Sequence, residues 1–521
     1  MFDYLETFQL ITLLFAVGCL ILSLFLFEKK KIHFSLTLLI LSSLFIGFMI
    51  CSLNPFLNIW DEQYHALVAK NMMENPFKPV LCQIPVLPYH FQSWTNNHIW
   101  LHKQPLFLWQ IALSLKVFGT HEIAVRIPSI IMHSVMIFFI YRMGKLAISE
   151  RVGYIACLLF TFSFYQLEIV SGSISTDHND VAFLFYVTGS IWAWFEYINS
   201  KKRRFLFLLS LLVGCAILVK WLVGLLIFSI WFVWILSNYK TNPIFRWSTW
   251  KYYTFAFIGA LLIMLPWQWY ILHSFPLEAA FEFKYNALHF SEALEGHGGT
   301  FWFHFEHISS IYGSGTFIPL LILLGWILSM VKSKNKAYRL AFGCSVLVIY
   351  LFYSLAKTKM VSFTIIVSPI LFIGLATLIH EIFNYFQKVK VLHKINPLLR
   401  TILLFALLFT VFKPRKIREM HTFEKNPAYL QKFKDKMGFI HQVNLNPRFQ
   451  QQKHVFFNQH FTDYGHVNFM FYTSHIGYDF IPTEEQIKIA KKSNYPIVIV
   501  DNGALPEFIT KDSTLILLKN S

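Results

Sequence analysis

Acidic, basic and histidine side chains fall in a few tight groups along this chain, mostly at the edges of long apolar runs. The first is Trp60-Asp61-Glu62. Adjacent carboxylates just past an apolar block can take a proton from a hydroxyl or hold a divalent ion. Asp61 would equally serve as N-cap of a helix over 62–74. The second group is Leu101-His102-Lys103-Gln104-Pro105. A lysine at a helix start opposes the helix dipole, yet suits an anionic ligand such as a lipid phosphate. A snorkelling interfacial lysine is the plain alternative. The third, Ser175-Thr176-Asp177-His178-Asn179-Asp180, puts two carboxylates and a histidine in one short turn, with capping by Asp180 as the competing account. Lys220 in ILVKWLVG and Lys359 in Ala356-Lys357-Thr358-Lys359 set cations at apolar turns, where phosphate contact or snorkelling would each suffice. The loop 273–306 adds Glu278, Glu282, His289, Glu292, Glu295, His297 and His304, ligand types for a metal but at no diagnostic spacing. Carboxylates and lysines gathered at membrane depth suit a substrate with an apolar tail, a phosphate and a polar head.

The elements that must position these groups are membrane helices. Of 521 residues, 55% are hydrophobic and only 14% charged, against about 25% charged in soluble domains. Apolar blocks near 8–27, 32–53, 121–141, 152–170, 180–198, 205–219, 221–236, 252–272, 307–331, 340–356, 361–383 and 398–412 predict twelve spans. The net charge of +17 sits largely in clusters between them. These are 29–31; Arg142, Lys145 and Arg151; 201–204; Lys240, Arg246 and Lys251; Lys332, Lys334, Lys336 and Arg339; and Lys388, Lys390, Lys394 and Arg400. Twelve spans put every cluster on the cytoplasmic side, so orientation explains the charge and no nucleic-acid partner is expected. The loop 54–120, the turns near 171–179, 220 and 357–359, the loop 273–306 and the C-terminal region then face outward. The stretches 61–74 and 104–118 read as helices lying at the surface of the bilayer.

Residues 413–521 are polar and predict a small α/β domain outside the membrane. Strand-like runs occur at 454–458 (HVFFN), 496–500 (PIVIV) and 514–518 (TLILL), with a helical stretch at 483–492. The expected division is 1–412 transmembrane and 413–521 extracytoplasmic. The six cysteines form no CxxC pair and none lies after residue 413, so no disulfide framework is expected there. The first residues lack the basic stretch of a cleavable signal.

The pieces WDEQYHALVAKNM, HKQPLFLWQIALSLKVFG with HEIAVRIPS, TDHNDVAFLF, ILVKWLVGLL, LPWQWY and AKTKMVSFTIIVSP follow one another over 60–370. In that order they resemble the GT-C superfamily of membrane glycosyltransferases, and most of all the lipid A aminoarabinose transferases and protein O-mannosyltransferases. The resemblance implies an all-α polytopic membrane protein that moves a sugar from a polyprenyl-phosphate donor to a lipid, glycan or protein acceptor. It implies inverting attack on the anomeric carbon, in a cell membrane that would be a bacterial inner membrane. Asp61 would be the principal carboxylate, with Glu62 beside it and Asp177 as a second acid; a small alignment shift exchanges Asp177 for Asp180. Lys103 would meet the donor phosphate, with Lys220 and Lys359 lining the same cavity. His102 and His289 are the candidate ligands should a divalent metal take part. The chain departs from the aminoarabinose transferases where His102 replaces the glutamate of their EKP motif, where Gln104 parts lysine from proline, and where Tyr64 replaces an arginine. The competing class is a transporter or lipid flippase. That class predicts ionisable residues at the midplane and an inverted repeat, whereas the acids here lie at loop ends.

Overall fold

The computed structural model describes residues 5–240, 245–388, 396–422, 427–459 and 464–519. Lys390 and Lys394 of the last basic cluster lie outside the described residues. The chain divides into two compact units: Met1–Leu53 with Ser129–Arg418, and Asn54–Pro128 with Glu419–Ser521. The loop expected to belong to the membrane part thus groups with the C-terminal region, which differs from a division at residue 412.

The first unit is built of apolar helices. Eight helical stretches among the described residues are long and apolar enough to cross a membrane, or nine if the bent pair Glu150–Thr161 and Phe164–Val170 forms one span. The difference from twelve has identifiable sources. The helix Ile318–Lys332 has 15 residues and Asn396–Phe412 has 17, short for a span. The 34 residues Arg204–Ser237 count as one stretch, yet their neighbours reverse along it. Phe207 meets Phe255, and Cβ atoms on Gly259 and Gly214 would meet Ser210 and Ile263, so Arg204–Lys220 runs parallel to Trp247–Ser274. Phe228 then meets Phe257 and Phe232 meets Trp250, so Leu226–Ser237 runs the other way. The chain folds back through Trp221–Leu225, where a Cβ on Gly224 would lie 2.9 Å from Ala216. Lys220 sits at that turn, as the sequence predicts.

Inside hydrocarbon, helices hold one another through small residues and hydroxyls. Ser23 and Ser35 each donate to the other's carbonyl, at 2.7 and 2.8 Å, pinning Thr7–Glu28 to Ile32–Cys51. Gly325 and Gly374 bring two backbones together: a Cβ on Gly374 would lie 2.9 Å from Trp326 N. Gly374→Leu is therefore expected to cost about 1–3 kcal/mol through overpacking, read as a lower melting temperature in detergent. Gly18, around which 4 Å is open, is the control, and Gly18→Leu should melt as wild type does.

The second unit carries a four-stranded parallel sheet in the order β2-β1-β3-β4, with β1 Val455–Phe457, β2 Ile476–Gly477, β3 Ile497–Asp501 and β4 Ile516–Lys519. Residue alternation sorts its two faces. Val455, Phe457, Ile497 and Ile499 pack with Ile487, Ala490 and, from the loop after residue 54, Val86 and Leu87. Phe456, Val498 and Val500 pack with Phe439, Ile440, Val443 and Phe469 on the other face. The helix Glu484–Lys491 begins in a capping box, with Thr483 and Gln486 bonding each other's backbone N–H. The same unit holds the helices Asp61–Met72 and Leu106–Phe118. The latter leaves Leu113, Val117 and Phe118 exposed, a face suited to a bilayer surface.

Candidate active site

Asp61 opens the helix Asp61–Met72, one position inside it, so it is not the cap that the bland reading expects. Trp60 is the N-cap, and its side chain makes no capping hydrogen bond. Trp60 has φ 69° and ψ −127°, a conformation that costs a side-chain-bearing residue on the order of 1–3 kcal/mol unless its surroundings impose it. The half-buried carboxylate of Asp61 is thereby fixed at the positive end of the helix dipole.

What imposes the turn is the neighbour. Glu62 is fully buried and bound twice by Arg126, with Nε on Oε1 at 2.7 Å and Nη2 on Oε2 at 3.1 Å. Asn58 donates to Glu62 Oε2 from both its backbone N, at 2.7 Å, and its side chain, at 2.9 Å. Arg126 also donates to the carbonyls of Asn54 and Phe56, each at 2.6 Å. The pair ties the segment 54–58 to the start of the helix, directly ahead of Asp61. Glu62, expected as a catalytic neighbour of Asp61, therefore has its carboxylate committed to this clamp. In the sequence, the only signal for Arg126 is its setting: a cation inside the apolar run AVRIPS is a costly feature that asks for a partner.

Asp61 and Lys103 belong to segments that meet on one indole. Trp94 stacks on His102 at 4.7 Å and touches Tyr64 and Trp60 at 5.0 and 6.4 Å between ring centroids. Lys103 follows that stacked histidine and precedes the helix Leu106–Phe118 by two residues. Half-buried, it makes no ion pair or hydrogen bond among the described residues. A cation left available ahead of a helix N-terminus is suited to an anion.

The first unit holds its own charged cluster. Asp177 opens the helix Asp177–Ser200 after Thr176 at φ 73°, so like Asp61 it follows a residue of positive φ, although ψ differs between the two. Asp177 and Asp180 are both buried. It is Asp180 that pairs with Lys220, whose ammonium also lies 4.8 Å from the Phe363 ring centroid. His178 shares a 2.8 Å hydrogen bond with Ser129, and Thr176 one of 2.7 Å with Ser362. Lys359 is buried and donates to the Tyr353 and Ser354 carbonyls at 2.7 Å, capping the helix Lys336–Leu355. Two of its three hydrogens are thus committed to backbone, where the sequence led us to expect a phosphate ligand.

His289 Nδ1 lies 3.1 Å from Thr358 Oγ1, while His102 is held by Trp94 and, edge-on at 5.7 Å, by Trp100. Among the described residues no group of three or more His, Cys, Asp or Glu side chains is arranged to hold a metal ion, so the geometry supplies no donor set around either histidine.

The helix of Asp61 is fastened at its far end as well. Lys70 Nζ donates to the carbonyls of Met470, Phe471 and Thr473 at 2.8, 2.8 and 2.6 Å, closing the C-terminus of the helix Gly465–Tyr472. Burial pulls its ammonium down to about 8, still cationic at neutral pH. Asn468 adds a 2.7 Å bond to Gln63. Lys70→Met should cost about 1–3 kcal/mol, since it leaves terminal carbonyls without their donor. Hydrogen exchange should quicken in both 61–72 and 465–472; unchanged exchange in 61–72 would refute the coupling.

Comparison with known proteins agrees with this architecture. Residues 102–270 match the family described as dolichyl-phosphate-mannose-protein mannosyltransferase. An uncharacterized protein of Aquifex aeolicus (strain VF5) is 25% identical over 226 residues, 42% of this chain and 40% of that relative's length. The crystal structure of ArnT from Cupriavidus metallidurans bound to undecaprenyl phosphate superposes with a TM-score of 0.61 at 13% identity, covering 93% of this chain and 89% of that one. The oligosaccharyltransferase of Archaeoglobus fulgidus tethered to an acceptor peptide gives 0.52 at 12% identity, over 88% of this chain and 68% of that one. At such identities the likeness is one of fold. The chain thus shares the fold of these two solved structures, and over residues 102–270 it matches the family model described as dolichyl-phosphate-mannose-protein mannosyltransferase.

Proposed function

We propose that this protein is a glycosyltransferase that takes its sugar from a polyprenyl phosphate and passes it to a lipid, glycan or protein acceptor outside the cytoplasm. The observation that carries the reading is the meeting of the Asp61 and Lys103 segments on Trp94. It supplies a fixed carboxylate and an available ammonium within one unit. In this reading the acceptor hydroxyl attacks the anomeric carbon while Asp61 takes its proton. The bond from that carbon to the phosphate oxygen breaks, and polyprenyl phosphate leaves with the electron pair. Attack opposite the leaving group inverts the anomeric centre. Lys103 meets the charge that grows on the departing phosphate. Glu62 and Arg126 position Asp61. A divalent ion is not required by this scheme. The fold shared with a structure that holds undecaprenyl phosphate supports the choice of donor.

The test is transfer itself. Full-length protein in lipid vesicles is given undecaprenyl-phosphate-linked sugars labelled in the sugar, with candidate acceptors of each class. The expected result is labelled acceptor, free undecaprenyl phosphate and an inverted anomeric configuration by NMR. Movement of the labelled lipid across the bilayer with no transfer to any acceptor would assign the chain to the flippases instead.

A further inference from the structure

The strand order places a ligand-binding geometry in the C-terminal region. From β1 the chain turns to β2 on one side, then crosses to β3 on the other. The carboxyl ends of β1 and β3 therefore flank the point where the order reverses, the place where open parallel sheets bind ligands. Asn458, just past β1, donates to Val500 O of β3 at 2.7 Å and ties the two ends together. Gln459 follows it, 1% exposed, and its side-chain nitrogen has no hydrogen-bond partner among the described residues. A buried amide left without a partner in a protein is a costly feature that asks for an explanation.

The helix Gly465–Tyr472 leads from β1 to β2, so its N-cap Tyr464 belongs to this end of the sheet and brings aromatic rings with it. Tyr464 touches Trp60 at 5.0 Å and Tyr64 at 5.8 Å, so it joins the rings of Trp94 beside Asp61. Trp60 remains 41% exposed, and Trp94 and Tyr464 are half-buried, so the rings keep open faces. Two residues past β2, Asp479 places Oδ2 3.2 Å from His466 Nδ1. Burial raises the Tyr64 hydroxyl pKa, and Tyr464 and Asp479 raise it further, which puts both within electrostatic reach of Tyr64.

We propose that this end of the sheet is a binding subsite for a sugar ring, with Trp60, Trp94 and Tyr464 as its platform and Gln459, His466 and Asp479 as its polar contacts. The C–H face of a pyranose lies flat on aromatic rings, and its hydroxyls need amide donors and carboxylate acceptors at the edge. The carboxylate of Asp479 disfavours a phosphate there and admits a neutral or amino sugar. The subsite deepens the transferase reading and rests on it for its place in the reaction: the ring belongs to either the donor or the acceptor.

Full-length protein in detergent is examined by saturation-transfer NMR with methyl α-D-mannopyranoside, methyl β-D-glucopyranoside and a methyl 4-amino-arabinopyranoside, with inorganic phosphate as competitor. At least one glycoside should receive saturation at its ring protons, and phosphate should not displace it. Gln459→Met, which keeps the side-chain length, should weaken binding about fivefold, the weight of one hydrogen bond. Tyr464→Ala should weaken it similarly, and Tyr464→Phe should restore it. No saturation of any glycoside by the wild type, or full binding by both Gln459→Met and Tyr464→Ala, would overturn the subsite. In the transfer assay, a KM raised by Gln459→Met for the acceptor alone assigns the ring to the acceptor, and for the donor alone to the donor. A fall in kcat with both KM values intact counts against the subsite. Glycoside binding without any transfer leaves the subsite standing and removes the transferase reading.

Discussion

Asp61→Asn is expected to lower the rate of sugar transfer about 10³-fold, within the range for loss of a general base. Asparagine keeps the size and the hydrogen-bonding oxygen of the side chain but cannot take a proton. Folding should survive. Asp61 opens its helix and is half-buried, so losing its charge removes roughly 0.3–1 kcal/mol of dipole interaction. Donor binding should stay within about twofold, because the charge met by the phosphate comes from Lys103 and not from Asp61. The check is a turnover measurement paired with donor affinity and a melting curve. Glu62→Gln supplies the contrast: it should melt lower, because it breaks a fully buried ion pair. Transfer by Asp61→Asn at the wild-type rate would remove the carboxylate from the mechanism, whatever the fate of the other assignments.

What the sequence made legible follows from what is local. The long apolar helices, the shorter apolar helix Leu106–Phe118, the turn at Lys220 and the capped helix Glu484–Lys491 are all written in runs and periods of neighbouring residues. So are β1, β3 and β4, each built on an apolar run that β3 closes with Asp501 and β4 with Lys519. β2 is not, for it is the two residues Ile476 and Gly477, too short to carry an alternation. Pairings across distance stayed hidden for the same reason. Nothing near Glu62 announces Arg126, 64 positions away. Nothing near Lys359 says that its ammonium closes the preceding helix, when a lysine at an apolar turn reads just as well as a phosphate ligand. Asp177 and Asp180 were interchangeable in sequence, whereas burial against Lys220 selects Asp180 for the ion pair. The grouping of 54–128 with the C-terminal region rests on contacts such as Lys70 with Phe471 and Val86 with the sheet, and hydropathy holds no information about those.

Arg126→Met is expected to be the most destabilising single change in the second unit. Both partners of the pair are fully buried, and removing one leaves the other charge with too few donors, at a cost of about 3–5 kcal/mol. The loss exceeds that of an ordinary ion pair, because the carbonyls of Asn54 and Phe56 are stranded as well. A fall in melting temperature on the order of 10 °C should follow. The double variant Glu62→Leu with Arg126→Met separates stability from placement. With no lone charge left buried, it should regain part of the lost stability. It should not regain transfer, because nothing then holds the segment 54–58 against the start of the Asp61 helix or sustains the strained turn at Trp60. Recovery of melting with activity still lost is the signature of a positioning pair. If Arg126→Met melts and transfers as wild type does, the clamp carries neither stability nor geometry, and Asp61 must owe its place to something else.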